Sequence, residues 1–232
     1  MTMELLILST DDFASLAADR IAREIADLAQ SRKLLSLALS GGNTPGPVNR
    51  ILAERADLPW DRVVVYFADE RAVPPDHPES NYRMVRESLL DRLPVPPRAV
   101  HRMEAERENL DAAAAEYARL LPERLDLLLL GLGEDGHIAS LFPQQTDAED
   151  SRRVFPVMAP KPPPLRMTIG PRVVRADRTR RLMLVQGKAK ANAVATACEG
   201  PWNPADCPGQ LAREALWILD RPAASRLERA RA

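Results

Sequence analysis

The chain has 232 residues, 45% of them apolar and 28% charged, a composition that belongs with ordinary globular proteins and can bury a substantial core. Its 32 basic and 33 acidic side chains leave a formal charge of -1, so no global field recruits nucleic acid or an anionic membrane, and any anion must be held locally. Two cysteines, Cys198 and Cys207, are too few for a disulfide framework, and no apolar run approaches the roughly 20 residues of a spanning helix. Residues 1–8 lack the basic segment of a secretory signal, so a cytoplasmic protein with no membrane or nucleic-acid partner is expected.

Taken in chain order, residues 4–9 form a short apolar strand, and Asp11 or Asp12 caps an amphipathic helix carrying Phe13, Leu16, Ala17, Ile21, Ile25 and Leu28. Residues 34–39 read as a buried strand that turns through Ser40-Gly41-Gly42-Asn43-Thr44-Pro45 into a helix, with Thr44 suited to the N-cap and Pro45 to the first helical position. The β-branched run 62–67 is the next strand, ending in Asp69-Glu70-Arg71 and a proline-rich loop before a helix over 80–93. A helix over 109–121 and a strand over 126–130 follow, then strand 181–186, helix 188–198, strand 215–219 and a terminal helix over 222–231. The 21 prolines cluster at 74–78, 94–97 and 160–164 between these periodic segments and read as ordered loops.

Strands alternating with helices, several of them continuous apolar runs, predict an α/β fold: a three-layer, doubly wound, mostly parallel sheet in one domain over 1–232. The irregular stretch 143–173 is expected to form a small subdomain or lid. In such sheets ligands sit beyond the carboxyl ends of the strands, and the unusual loops all follow strand ends. The Ser40-Gly41-Gly42 turn is either a phosphate cradle at a helix N-terminus or a tight strand-to-helix turn, and these residues alone weigh the two equally. It lacks the lysine of a Walker loop. Gly131-Leu132-Gly133-Glu134-Asp135-Gly136 matches GxGxxG, but the strand-like run 154–158 ends in Ala159-Pro160-Lys161 rather than in the acidic residue that would hold a ribose.

His137 follows that glycine turn directly, with Asp135 two residues before it to orient the imidazole, and a histidine near its ordinary pKa accepts protons at neutral pH. His77 and His101 have no such context and read as structural. Arg71, Lys161 and Arg166 lie at strand ends or beside Pro162 to Pro164, where they are either solvated surface or cations converging on an anion. From the residues, the expectation is a site for a phosphorylated small molecule with one acid/base histidine.

Four blocks then carry a resemblance: LALSGGNTP at 37–45, FADERAVPPDHPESNY at 67–82, LLGLGEDGHIASLFP at 129–143 and APKPPPLRMTI at 159–169. Together with VQGKAKANAV at 185–194 and ALWILDRPAASRL at 215–227, they resemble the 6-phosphogluconolactonases across nearly the whole chain. The related glucosamine-6-phosphate deaminases share DGHIA, but an FNEP-like ending follows there and Ser140-Leu141-Phe142-Pro143 follows here. Asn43, Ile138 and Gly170 depart from the commonest lactonase pattern, and Ile138 leans toward the deaminase. The resemblance implies a Rossmann-like, glucosamine-6-phosphate deaminase-like fold and hydrolysis of 6-phospho-D-glucono-1,5-lactone to 6-phospho-D-gluconate, the second step of the oxidative pentose phosphate pathway.

Carried over residue by residue, it implies His137 as general base with Asp135 beside it. Gly41, Gly42 and Thr44 would contact the 6-phosphate, and Arg71, Lys161 and Arg166 would serve as cationic contacts. The reaction's oxyanion needs a positive or N–H partner, for which Arg71, Lys161 or backbone amides of the DGH turn are candidates. No metal and no organic cofactor is expected, Ser140 lacks the context of a nucleophile elbow, and the expected partner is the small sugar-phosphate lactone, bound by a monomer. Rival expectations are a glucosamine-6-phosphate isomerase/deaminase and a non-catalytic sugar-phosphate sensor.

Overall fold

The continuous apolar runs become the interior of a parallel sheet. The computed structural model describes residues 2–228. Along the first half run β1 (Glu4–Leu8), α1 (Phe13–Ser31), β2 (Leu35–Leu39), α2 (Pro45–Ala53), β3 (Val63–Phe67), β4 (Asp69–Arg71), α3 (Asn81–Ser88), β5 (Ala99–Val100) and α4 (Leu110–Leu120). The second half adds β6 (Leu127–Leu130), β7 (Val154–Met158), β8 (Leu165–Ile169), α5 (Pro171–Val174), β9 (Arg180–Val185), α6 (Ala191–Glu199), β10 (Leu216–Asp220) and α7 (Arg221–Ala224). Among the described residues, seven strands form one sheet in the order β1-β10-β9-β6-β2-β3-β5, every pair parallel. Every residue of β2, β6 and β10 is buried, as strands covered on both faces require.

Strand order sets the layers. From β1 through β2 and β3 to β5 the chain crosses the sheet one way, and from β6 through β9 to β10 it returns the other way. Right-handed crossovers then place α1, α2 and α3 on one face and α4, α5 and α6 on the other. α1 buries Phe13, Ala17, Ile21, Ile25 and Leu28 at helical spacing and packs on α2, which packs on α3. The reversal falls between β2 and β6, whose chains leave in opposite directions, and a crevice opens at their carboxyl ends. The Ser40 hydroxyl, one residue past β2, donates to the Leu129 carbonyl of β6 at 2.9 Å and ties the two strands at that point.

The stretch 143–173, expected to form a small subdomain or lid, holds two strands, β7 and β8. β7 and β8 form an antiparallel hairpin, and β8 pairs with β4 to complete a separate three-stranded sheet. Three charged residues give no apolar pattern, so β4 is invisible without its partner. Ala68 joins the two sheets: its N–H donates to the Leu39 carbonyl of β2 at 2.8 Å, and its carbonyl accepts the Ile169 N–H of β8 at 2.8 Å. Smaller corrections are an α3 that stops at Ser88, before a 3₁₀ turn over Leu90–Arg92, and a 3₁₀ turn at Lys188–Lys190 ahead of α6. The terminal helix covers only Arg221–Ala224, and positions 229–231 of the expected one lie outside the described residues. No helix among the described residues is long and apolar enough to cross a membrane.

Candidate active site

The loops leaving β2, β3 and β6, together with β8 and the turn after β9, enclose a cavity of about 340 Å³ at the carboxyl edge of the parallel sheet. Gly41, Gly42 and Thr44 line it from the β2 loop. Gly42 has φ +106°, a left-handed conformation that favours glycine. Thr44 is the N-cap of α2 and Pro45 its first residue, as expected, but Thr44 is helical and its hydroxyl makes no capping bond. Pro45 and Pro47 carry no N–H, so Gly46 has the one amide among the first three helical residues, and the Thr44 side chain does not take it up.

Strand alternation sorts the acidic and basic residues of β4. Asp69 and Arg71 line the cavity, whereas Glu70 points to the opposite face and is buried. Arg71 lies directly across from Arg166 in the antiparallel pair, and both line the cavity. Arg71 donates to the Glu79 carbonyl at 2.6 Å, and its Nε is buried without a partner. Arg166 is 4% exposed and donates to the carbonyls of Pro163 at 3.0 Å and Lys161 at 3.4 Å. Burial, and then the charge of Arg71, hold the Arg166 guanidinium below its ordinary pKa. Two adjacent guanidiniums in a desolvated wall stabilise an anion placed between them.

On the opposite side, the turn after β6 presents His137. The Gly133 N–H donates to the His137 carbonyl at 2.8 Å, and Gly136 has φ +86°. A Cβ on Gly133 would overlap the His137 ring and the Asp135 carboxylate, so this turn requires its glycine. His137 Nδ1 lies 2.5 Å from Asp135 Oδ1, which directs the other ring nitrogen away from the carboxylate, and the ring lines the cavity. Burial alone would raise the pKa of Asp135. The hydrogen bond and charge of His137, joined by Lys161, instead hold it well below the usual carboxylate range.

The structure brings His137, Arg71, Arg166, Gly41, Gly42 and Thr44 to one cavity and leaves two expected residues outside its wall. Asp135 stands behind His137, and Lys161, on the β7–β8 hairpin, places Nζ 3.9 Å from Asp135 Oδ2. Polar lining residues that the sequence reading did not place in the site include Asp69, Asn81, Glu134, Gln186 and Lys190. Lys190 enters from the turn after β9, with Nζ 3.9 Å from Glu134 Oε1. Its signal was available, since GKAK follows a strand end as the other site loops do. Ser140 is fully buried and donates to Asp69 at 2.6 Å, and Ile138 is fully buried in the core. His77 accepts the Glu79 N–H at 3.1 Å and His101 packs on Tyr66, so both hold structural positions.

The family model described as glucosamine-6-phosphate isomerases/6-phosphogluconolactonase matches residues 8–218. A 6-phosphogluconolactonase of Streptomyces coelicolor is 37% identical over 238 aligned residues, covering 93% of this chain and 91% of the relative. One of Mycobacterium leprae is 37% identical over 229, covering 91% and 92%. Among solved structures, the 6-phosphogluconolactonase of Thermotoga maritima superposes with a TM-score of 0.83 at 27% identity, covering 94% of this chain and all of that one. A monomeric glucosamine-6-phosphate deaminase has a TM-score of 0.82 at 22% identity, covering 97% of this chain and 100% of that one, a likeness of fold. The chain belongs to the glucosamine-6-phosphate isomerase/6-phosphogluconolactonase family.

Proposed function

We propose that this chain hydrolyses 6-phospho-D-glucono-1,5-lactone to 6-phospho-D-gluconate, the second step of the oxidative pentose phosphate pathway, by histidine-assisted attack of water on the lactone carbonyl. The observation that carries the reading is one cavity holding a carboxylate-oriented histidine and a cross-strand pair of arginines. The phosphate sits against Arg71, Arg166 and the Gly41 to Thr44 loop, with Lys190 as a further cation at the wall. With Nδ1–H donating to Asp135, His137 Nε2 takes a proton from water as the water oxygen bonds to C1. The carbonyl π electrons move onto oxygen, and this oxyanion is stabilised by a cation of the wall or by backbone amides of the DGH turn. Collapse breaks the bond from C1 to the ring oxygen, which takes the proton back from His137. Asp135 stabilises the imidazolium in between, and Lys161 neutralises Asp135 from outside. The chemistry calls for no metal or organic cofactor, and phosphate binding remote from C1 supplies orientation.

The lactone also opens spontaneously, so the test is acid release above the buffer rate when the lactone is generated in situ. Absence of acceleration refutes the proposal. Ammonia release from glucosamine 6-phosphate would favour the deaminase instead. Ile138, which leaned that way, is a core side chain that does not reach the cavity.

A further inference from the structure

Glu70 belongs to the same three-residue strand as Asp69 and Arg71 but does not line the cavity. It is 4% exposed, and among the described residues no cation pairs with it. A carboxylate out of water is costly unless hydrogen bonds replace the lost solvation. Here there are four. Oε1 accepts the Arg71 N–H at 2.8 Å and the Asn81 N–H at 2.7 Å, and Oε2 accepts the Tyr82 N–H at 2.7 Å and the Ser80 hydroxyl at 3.0 Å. Burial pushes the pKa of Glu70 up, against these backbone bonds.

The donors are not arbitrary. Arg71 is one of the two cavity arginines, and the amides of Asn81 and Tyr82 are the first of α3, which have no partner inside the helix. Asn81 in turn donates from Nδ2 to the Asp69 carbonyl at 2.9 Å and to Asp69 Oδ1 at 3.0 Å. Its side-chain amide also fills the space that a Cβ on Gly41 would need. One buried carboxylate thus holds, directly, the backbone that carries Arg71 and, through Asn81, the loop that carries Gly41 and Gly42. The glycine at 41 is required by Asn81, whose side chain occupies the place of a Cβ.

We infer that Glu70 is a positioning residue for anion binding: by accepting from Arg71, Asn81 and Tyr82 together, it sets the placement of the Arg71 guanidinium relative to the Gly41 loop. This rests on the reading of that end of the cavity as the phosphate end. Among the described residues no hydrogen bond joins Glu70 to the His137 turn, so its effect falls on binding rather than on proton transfer.

The test is Glu70→Gln, which keeps the shape but turns one acceptor oxygen into an NH₂ donor facing N–H and O–H donors. Steady-state kinetics with the lactone, calorimetric binding of inorganic phosphate and the melting temperature are measured for both proteins. The expected result is KM and the phosphate Kd both raised about tenfold, as loss of charge-assisted bonds predicts, with kcat within about threefold and its pH profile unmoved. An unchanged phosphate Kd in folded Glu70→Gln, whatever its melting temperature, overturns the inference. So does a fall in kcat with KM retained, or a wild-type protein that binds no phosphate. Should Glu70→Gln fail to fold, Ser80→Ala removes one of the four donors and is expected to raise the phosphate Kd about threefold, with no change overturning the inference. Phosphate binding needs no turnover. A wild type without lactonase activity whose phosphate Kd still rises tenfold in Glu70→Gln sinks the proposed reaction and leaves this inference standing.

Discussion

Replacing Asp135 by Asn isolates the part of the mechanism that lies behind the cavity wall. Asp135 Oδ1 and His137 Nδ1 are 2.5 Å apart, so when the ring becomes an imidazolium the two charge centres lie about 4 Å apart. At the effective dielectric near a protein surface, that interaction is about 4 kcal/mol. The Asp135 side chain is 35% exposed and shared with Lys161, and screening brings the usable part down to about 2 kcal/mol. That corresponds to a loss of about thirtyfold in kcat. An asparagine that turns its NH₂ toward Nδ1 selects the wrong tautomer as well, and the loss then approaches the full general-base contribution of about 10²–10⁴. Because Asp135 does not line the cavity, KM is expected to stay within about twofold, since only the transition state carries the new charge. The assay is acid release from freshly generated lactone, corrected for spontaneous opening. A kcat lowered less than threefold, or a KM that rises while kcat holds, refutes the orienting role of Asp135.

Substituting His137 by Asn is expected to lower kcat at least about a hundredfold in a protein that still folds; near-normal turnover assigns the base elsewhere. Arg71→Lys keeps the charge but loses the planar fork, and KM for the lactone is expected to rise between about ten- and a hundredfold with kcat within about threefold, measured by the same assay. Asp135 has a folded-state pKa below its unfolded value, so its stabilisation is present above about pH 4 and is lost as pH falls further. Melting curves of wild type and Asp135→Asn should therefore differ at pH 6 and converge as pH drops below about 4; a gap that widens on acidification contradicts the assigned direction.

Local chemistry made much of this protein legible in advance. The leucines of β6 and the β-branched run of β3 can satisfy themselves only as covered parallel strands, and the glycines of the β2 and β6 loops mark backbone that a side chain would obstruct. Gly42 and Gly136 do adopt positive φ, and His137 does sit on its Asp135 partner, because two residues of separation within a glycine turn suffice to form that contact. Periodicity alone left the phosphate cradle undecided, and the family resemblance supplied the substrate.

Tertiary structure decided what depends on partners distant in the chain. The strand Asp69–Arg71 exists because β8, almost a hundred residues later, supplies its ladder; pairing of that kind leaves no local trace when the residues are charged. The same pairing sets Arg71 against Arg166 and turns Glu70 inward, so that three adjacent charges acquire two opposite environments. Lys161 and Lys190 show the limit of reading charges from loops. Both follow strand ends, yet the β7–β8 hairpin carries the first to Asp135 behind the histidine, while the turn after β9 brings the second to the cavity wall. Sequence determined which residue types stand at the carboxyl ends of the strands. Only the packing of the small sheet against the parallel one determined which of their side chains share a cavity, because a side chain's direction is set by its neighbours across the ladder and not by its neighbours in the chain.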